Sequence, residues 1–114
     1  MIDCVFCKVV TNEIPSEKVY EDDDMVFFKD ITPQAPVHLL GIPKKHIVNI
    51  NDLKDEDAGL IAKIFLRIRE LVKEYPELSK GYRVVTNSGK ESGQSVFHMH
   101  IHVIGGRYMG WPPG

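Results

Sequence analysis

Three histidines stand at alternate positions in the run His98-Met99-His100-Ile101-His102. Imidazole exchanges protons near neutral pH and can attack an electrophile, so the run points to nucleophilic or acid–base chemistry. The same run can build a metal site, or it can be a solvated polar face made of histidines. A core has little reason to hold three imidazoles together, because both ring nitrogens of each need partners once buried. Cys4 and Cys7 form a C-x-x-C pair. In a reducing cytosol that spacing favours metal or redox chemistry over a structural disulfide. Two more histidines, His38 and His46, complete the set of five. A structural zinc site takes four Cys/His ligands, and a close cysteine pair supplies two. The alternative is that Cys4 and Cys7 are small buried hydrophobes.

The histidine run needs an element that presents it. Side chains alternate along a strand, so residues 97–104 read as a strand with His98, His100 and His102 on one face. Neighbours in that row have α-carbons roughly 6 to 7 Å apart. Phe97, Met99, Ile101 and Val103 then form an apolar face that suits packing under a helix. A long helix is present: Leu60, Ile61, Ile64, Phe65, Ile68, Leu71 and Val72 recur at helical spacing. Asp55, Glu56 and Asp57 occupy its first turn, where carboxylates favour the helix dipole. Tyr75-Pro76 ends it. Residues 19–21 and 25–29 read as strands joined by the acidic turn Asp22-Asp23-Asp24. Residues 38–42 form a third strand ended by Pro43, and residues 82–87 a fourth. Residues 4–11 make a short helix, broken by Ile14-Pro15-Ser16. Residues 32–36 carry two prolines and form a loop. Residues 88–94 form a glycine-bearing loop, and residues 105–114 a tail rich in Gly and Pro. The expected fold is α+β: a five-stranded, mostly antiparallel sheet with one long helix and a short N-terminal helix.

A chain of 114 residues fits one domain, here 1–114. The folded part is expected to begin almost at once, from Met1-Ile2-Asp3-Cys4. A net charge of −2 gives no basic footprint, so no nucleic-acid partner is expected. No apolar run approaches the ~18 residues of a membrane span, and the N-terminus lacks signal-peptide order. The expected location is the cytoplasm, with the nucleus also open to it in a eukaryote.

The triad, preceded by Gly93-Gln94-Ser95-Val96-Phe97, closely resembles the motif of the histidine triad (HIT) superfamily. Phe28-Lys29-Asp30-Ile31 and Pro33-Gln34-Ala35-Pro36-Val37-His38 resemble that family's ribose-binding strand and loop. Ile42-Pro43-Lys44-Lys45-His46-Ile47 and residues 85–89 also match. The ending Gly105-Gly106-Arg107-Tyr108-Met109-Gly110-Trp111-Pro112-Pro113-Gly114 resembles the Hint branch, the nucleoside phosphoramidases. The resemblance covers nearly the whole chain.

What the resemblance implies is a purine nucleotide substrate and a covalent mechanism. His100 is the implied nucleophile toward the α-phosphate, through a nucleotidyl-histidine intermediate that water resolves to a monophosphate such as AMP. His102 is implied to bond the phosphate oxygens, and Ser95 to contact the phosphate and help the leaving amine depart. The backbone of Gly93 and Gln94 would line the same pocket. Asp30 is the implied ribose ligand, with a strand-end turn as the alternative. Asn87 would reach phosphate or ribose, or be a turn former. Phe6, Ile14, Phe28 and Ile31 would wall the base, or be ordinary core. The implied structural zinc ligands are Cys4, Cys7, His46 and His98, and no organic cofactor is implied. Animal Hint proteins generally lack this cysteine pair, so the sequence departs from them there. His38 would lie behind the triad and orient an imidazole, or be a satisfied core histidine.

The tail implies a homodimer in which Trp111 approaches the partner's active site. Gly110 stands where several relatives carry a bulkier residue, which bears on selectivity for the leaving group. A dinucleoside polyphosphate hydrolase like the Fhit branch is a second function on this fold. A nucleotide- or zinc-binding interaction module without catalysis is a third.

Overall fold

The computed structural model describes residues 3–114, so the expectation placed on Met1 and Ile2 lies outside the described residues. Five strands form one antiparallel sheet: β1 (Lys18–Glu21), β2 (Met25–Lys29), β3 (Val37–Pro43), β4 (Tyr82–Thr86) and β5 (Ile101–Gly105). Their spatial order is β1-β2-β3-β5-β4. The last strand therefore inserts between the third and fourth, in the middle of the sheet. The β1–β2 turn is held by Asp22, whose carboxylate accepts the amides of Asp24 and Met25 at 2.8 and 3.0 Å.

Alternation splits the sheet into two buried faces. On one face, Met25, Phe27, Val37, Leu39, Ile101 and Val103 pack under the helix α2 (Ala58–Leu71) through Ile64, Ile68 and Leu71. Each such side chain contributes about 1.5–3 kcal/mol when fully buried. On the other face, Val26, Phe28, Leu40 and Ile42 pack against Cys4, Phe6 and Val9 of the segment around α1 (Val5–Val10). A helix of six residues is not stable alone, so α1 depends on these contacts. Among the described residues, no helix is long and apolar enough to cross a membrane.

Three expectations need correction. The last strand does not begin at Phe97 but at Ile101. The β3–β5 ladder stops at the pair Gly41–Ile101, and Pro43 beyond it has no N–H to extend it. Residues 97–100 instead leave the sheet, and the Met99 amide bonds the Ile47 carbonyl at 2.6 Å. Phe97 is accordingly 54% exposed, not under the helix, while Met99 keeps its place in the core. Phe65 is also half-exposed, because one step of a helix turns it about 100° from Ile64 and off the buried stripe. Asp55, Glu56 and Asp57 form a 3₁₀ turn ahead of α2 rather than its first turn. Asp57 is buried there, accepting the Lys54 amide at 2.9 Å and Lys45 Nζ at 2.6 Å.

Gly41 lies opposite Phe27 in the β2–β3 register, and a β-carbon on it would run into the Phe27 ring. Overpacking of this kind costs typically ~1–3 kcal/mol. Gly41→Ala should lower the urea-unfolding free energy by that amount, and an unchanged value would show that the ring is free to move.

Candidate active site and metal centre

The α1-side face of the sheet carries the polar chemistry. Leu40 pairs with His102 and His38 with Ile104 in the β3–β5 register, which makes His38 and His102 diagonal neighbours on one face. Their rings meet, with His38 Nε2 and His102 Nδ1 2.8 Å apart. The Gln34 amide donates to His38 Nδ1 at 3.0 Å. An amide can only donate, so Nδ1 accepts and the His38 proton resides on Nε2. That proton goes to His102 Nδ1, with the Asp30 carboxylate also within 3.3 Å. His102 must then carry its own proton on Nε2, the free side of its ring.

His100 has the opposite tautomer. Its Nδ1 lies 2.8 Å from the His98 carbonyl. A carbonyl only accepts, so Nδ1 holds a proton, and the neutral ring keeps its lone pair on Nε2. The His100 and His102 ring centroids are 5.1 Å apart. One ring thus presents a lone pair and its neighbour an N–H. The His100 main chain is fixed by the Thr86 hydroxyl, which donates to its carbonyl at 2.9 Å. Phe6 meets the His100 ring edge-on, centroids 5.0 Å apart.

His98 turns elsewhere. It is fully buried, and its Nε2–H donates to the Pro43 carbonyl at 2.8 Å. Its Nδ1 lone pair faces Cys4 Sγ at 3.4 Å, Cys7 Sγ at 3.6 Å and His46 Nδ1 at 3.2 Å. Cys7 Sγ and His46 Nδ1 are 3.3 Å apart. Thiolate and imidazole ligands about 2.0–2.3 Å from a tetrahedral ion lie roughly 3.3–3.8 Å from one another. Two thiols and two imidazoles at this spacing fit zinc in donor type and number. Burial pushes the Cys7 thiol up to about 11, with the neighbouring Cys4 adding to the shift.

The remaining site residues divide clearly. Asp30 follows β2, and one of its oxygens accepts the Thr32 amide at 2.8 Å, which is the turn role, while the other faces His38. Phe6 and Phe28 belong to the core behind the histidines, with Ile14 packed on it, and Ile31 is 95% exposed. Asn87 follows the last residue of β4 and is partly buried. Ser95 is exposed, and Gly93 has φ 92°, a conformation that suits glycine. Trp111 is 83% exposed on a tail held by Arg83 to the Gly110 carbonyl at 2.8 Å.

Two contributors escape sequence reasoning. The buried Gln94 side chain donates to the Val48 and Val96 carbonyls and accepts from Gly89 N–H and Asn49 Nδ2, so all its valences are used in bolting the glycine loop to residues 48–49. The Gln34 amide sets the tautomer of His38. A glutamine between a glycine loop and an apolar run is a weak hint of the first. Nothing in residue type marks the second.

The description "scavenger mRNA decapping enzyme C-term binding" belongs to the family model that matches residues 3–111. An uncharacterized HIT-like protein of Synechococcus elongatus is 44% identical over 112 residues, covering 98% of this chain and 97% of that one. The chain belongs to the histidine triad family. The HIT fold agrees with solved structures. A HIT family hydrolase from Legionella pneumophila superimposes with a TM-score of 0.95 at 49% identity, covering 98% of this chain and 100% of that one. A histidine triad protein from Clostridium difficile gives 0.91 at 40% identity, covering 96% of each.

Burial sets the charge state of this HIT site. It pushes His102 down to about 4, with the neighbouring His100 and His38 adding to the shift. It also lowers His38, against the pull of Asp30. Unfolded, such a group takes a proton near 6.5. Between 6.5 and 4 the unfolded chain therefore holds more protons, and stability falls as pH falls. The melting temperature should drop through that window, and His102→Gln should flatten the drop. An equally steep drop in the variant would assign the acid sensitivity to other groups.

Proposed function

We propose that this HIT protein is a hydrolase that cleaves purine nucleoside 5′-phosphoramidates at the P–N bond. The observation that carries the reading is the pair of opposed tautomers, a lone pair on His100 Nε2 beside an N–H on His102 Nε2. The first attacks phosphorus and the second bonds a phosphate oxygen that gains charge as it does so. His100 Nε2 bonds the α-phosphorus as the bond to the amine breaks. The amine keeps the electron pair and takes a proton through the Ser95 hydroxyl. Water then attacks phosphorus, the P–Nε2 bond breaks, the monophosphate leaves, and the proton given up by the water replaces the one taken by the amine.

In this reading Asp30 holds the ribose with the lone pairs its turn leaves free, and Asn87 reaches the phosphate. The backbone of Gly93 and Gln94 lines the phosphate pocket, which the Gln94 side chain holds in shape. Ile14 and the exposed Ile31 flank the base, with Phe6 and Phe28 behind them. His38 keeps His102 in its donor form. Cys4, Cys7, His46 and His98 hold zinc, whose role is to tie α1 to the sheet. Ser95 and the tail with Trp111 favour phosphoramidates over dinucleoside polyphosphates as substrates.

The reading includes a homodimer. Strand β4 is an edge of the sheet, and an unpaired edge is a template for another chain. Tyr82 and Val84 on it are 43% and 36% exposed, and Trp111 adds a further exposed ring. Light scattering should give twice the chain mass of 13.0 kDa, with Val84→Lys shifting the protein toward monomer. A wild-type monomer at micromolar concentration would remove the dimer from the reading.

The catalytic assignment is tested with His100→Gly. Turnover of an adenosine phosphoramidate should fall at least ~10³-fold while the monophosphate still binds. Retained turnover would overturn the nucleophile. Faster wild-type cleavage of a diadenosine polyphosphate would overturn the substrate class.

A further inference from the structure

His98 belongs to both halves of the site. Its ring offers Nδ1 to Cys4, Cys7 and His46, and its main-chain carbonyl accepts the Nδ1–H of His100. Building on the functional reading above, we propose that metal at the cysteine–histidine cluster positions His100, by holding the His98 carbonyl where it keeps the His100 proton on Nδ1.

Two further tethers hold His98 in place. Its Nε2–H meets the Pro43 carbonyl, and the following amide, that of Met99, meets the Ile47 carbonyl. The only open side of the ring is Nδ1, which faces two thiols and a second imidazole Nδ1 at 3.2–3.6 Å. Two nitrogen lone pairs that close repel unless a proton or a cation lies between them. Divalent metal satisfies all four donors at once. Without it the rings must turn or share a proton, inside a pocket where His98 has no exposed surface to turn into. The ring and the carbonyl share the His98 α-carbon, so where the buried pocket blocks rotation about Cα–Cβ a displaced ring carries the carbonyl with it. An imidazole that loses this acceptor is free to carry its proton on Nε2. The lone pair that attacks is then gone.

A second contact runs the same way. Cys4 caps α1, its sulfur accepting the Cys7 amide, and both cysteines are in the cluster. Phe6 lies between them in sequence and rests edge-on against the His100 ring. Metal that ties down the two cysteines therefore also holds Phe6 against the nucleophile. His98 is in this account a positioning residue, and the cluster acts on chemistry only through it and Phe6.

The test uses full-length protein loaded with zinc, stripped with a chelator, and reloaded. Two signals are read: kcat and KM on an adenosine phosphoramidate, and the ¹⁵N resonances of the His100 ring without substrate. Loaded protein should bind about one zinc per chain and show His100 protonated on Nδ1 alone. Stripping should lower kcat ~10- to 100-fold, leave KM within about twofold, and move His100 toward mixed tautomers. Reloading should restore both signals. Should the stripped protein unfold, zinc is titrated into His46→Ala, where kcat and the His100 resonances should rise together with occupancy. Failure to bind zinc, or ring signals and kcat that ignore its removal, would overturn the proposal. The ring signals need no turnover, so they still report on this coupling if His100→Gly shows the nucleophile to be another residue.

Discussion

A single hydrogen bond, from His100 Nδ1 to the His98 carbonyl at 2.8 Å, decides what the site can do. Carbonyl oxygen accepts and never donates, so Nδ1 holds a proton and the neutral His100 ring carries its lone pair on Nε2. The complementary chain runs from the Gln34 amide through His38 to His102 and ends on a proton. Neither result depends on the charge of a surface group. In the neutral rings both tautomers follow from backbone atoms, the His98 carbonyl and the Gln34 N–H.

The fold exists to hold those backbone atoms still. Strand β5 sits in the middle of the sheet between β3 and β4, so His102 is braced from both sides. Strand β3 carries His38 and brings it diagonally onto His102. The helix α2 seals one face of the sheet, which leaves the other for α1 and the histidines. Burying several imidazoles is costly unless their nitrogens find partners. Those of His38 and His102 do, apart from the outward Nε2 of His102, which the functional reading assigns to the phosphate. The cysteine–histidine cluster is different. There two thiols and two imidazoles converge, a donor set that a divalent cation satisfies all at once.

Much of this was legible from residue type and spacing. The period of Ile64, Ile68 and Leu71 marks α2, and alternation marks β2 and β3. The choice of His46 and His98 as partners of the C-x-x-C pair came from the family resemblance, and the structure does bring the four together. The histidine run misled in one respect. Alternation suggested a strand through all three histidines, yet Pro43 ends the ladder and only His102 lies in β5. That departure sends His98 to the cysteines instead of into a row with the others. What could not be read is the part supplied by backbone. Gln34 N–H and the carbonyls of His98 and Pro43 are identical in every residue type, so only the fold reveals which of them face an imidazole. Gln94 is intermediate: its side chain bolts the loop, but its four partners lie up to 46 positions away.

The central claim is that His100 Nε2 is the atom that attacks. It is tested most directly by acid-quenching the enzyme during its first turnover of an adenosine phosphoramidate and mapping any adduct by mass spectrometry. The account predicts a nucleotidyl group on the peptide containing His100, attached through Nε2, that forms and decays at rates compatible with turnover. Full product formation with no adduct, or an adduct on a different residue, would contradict it.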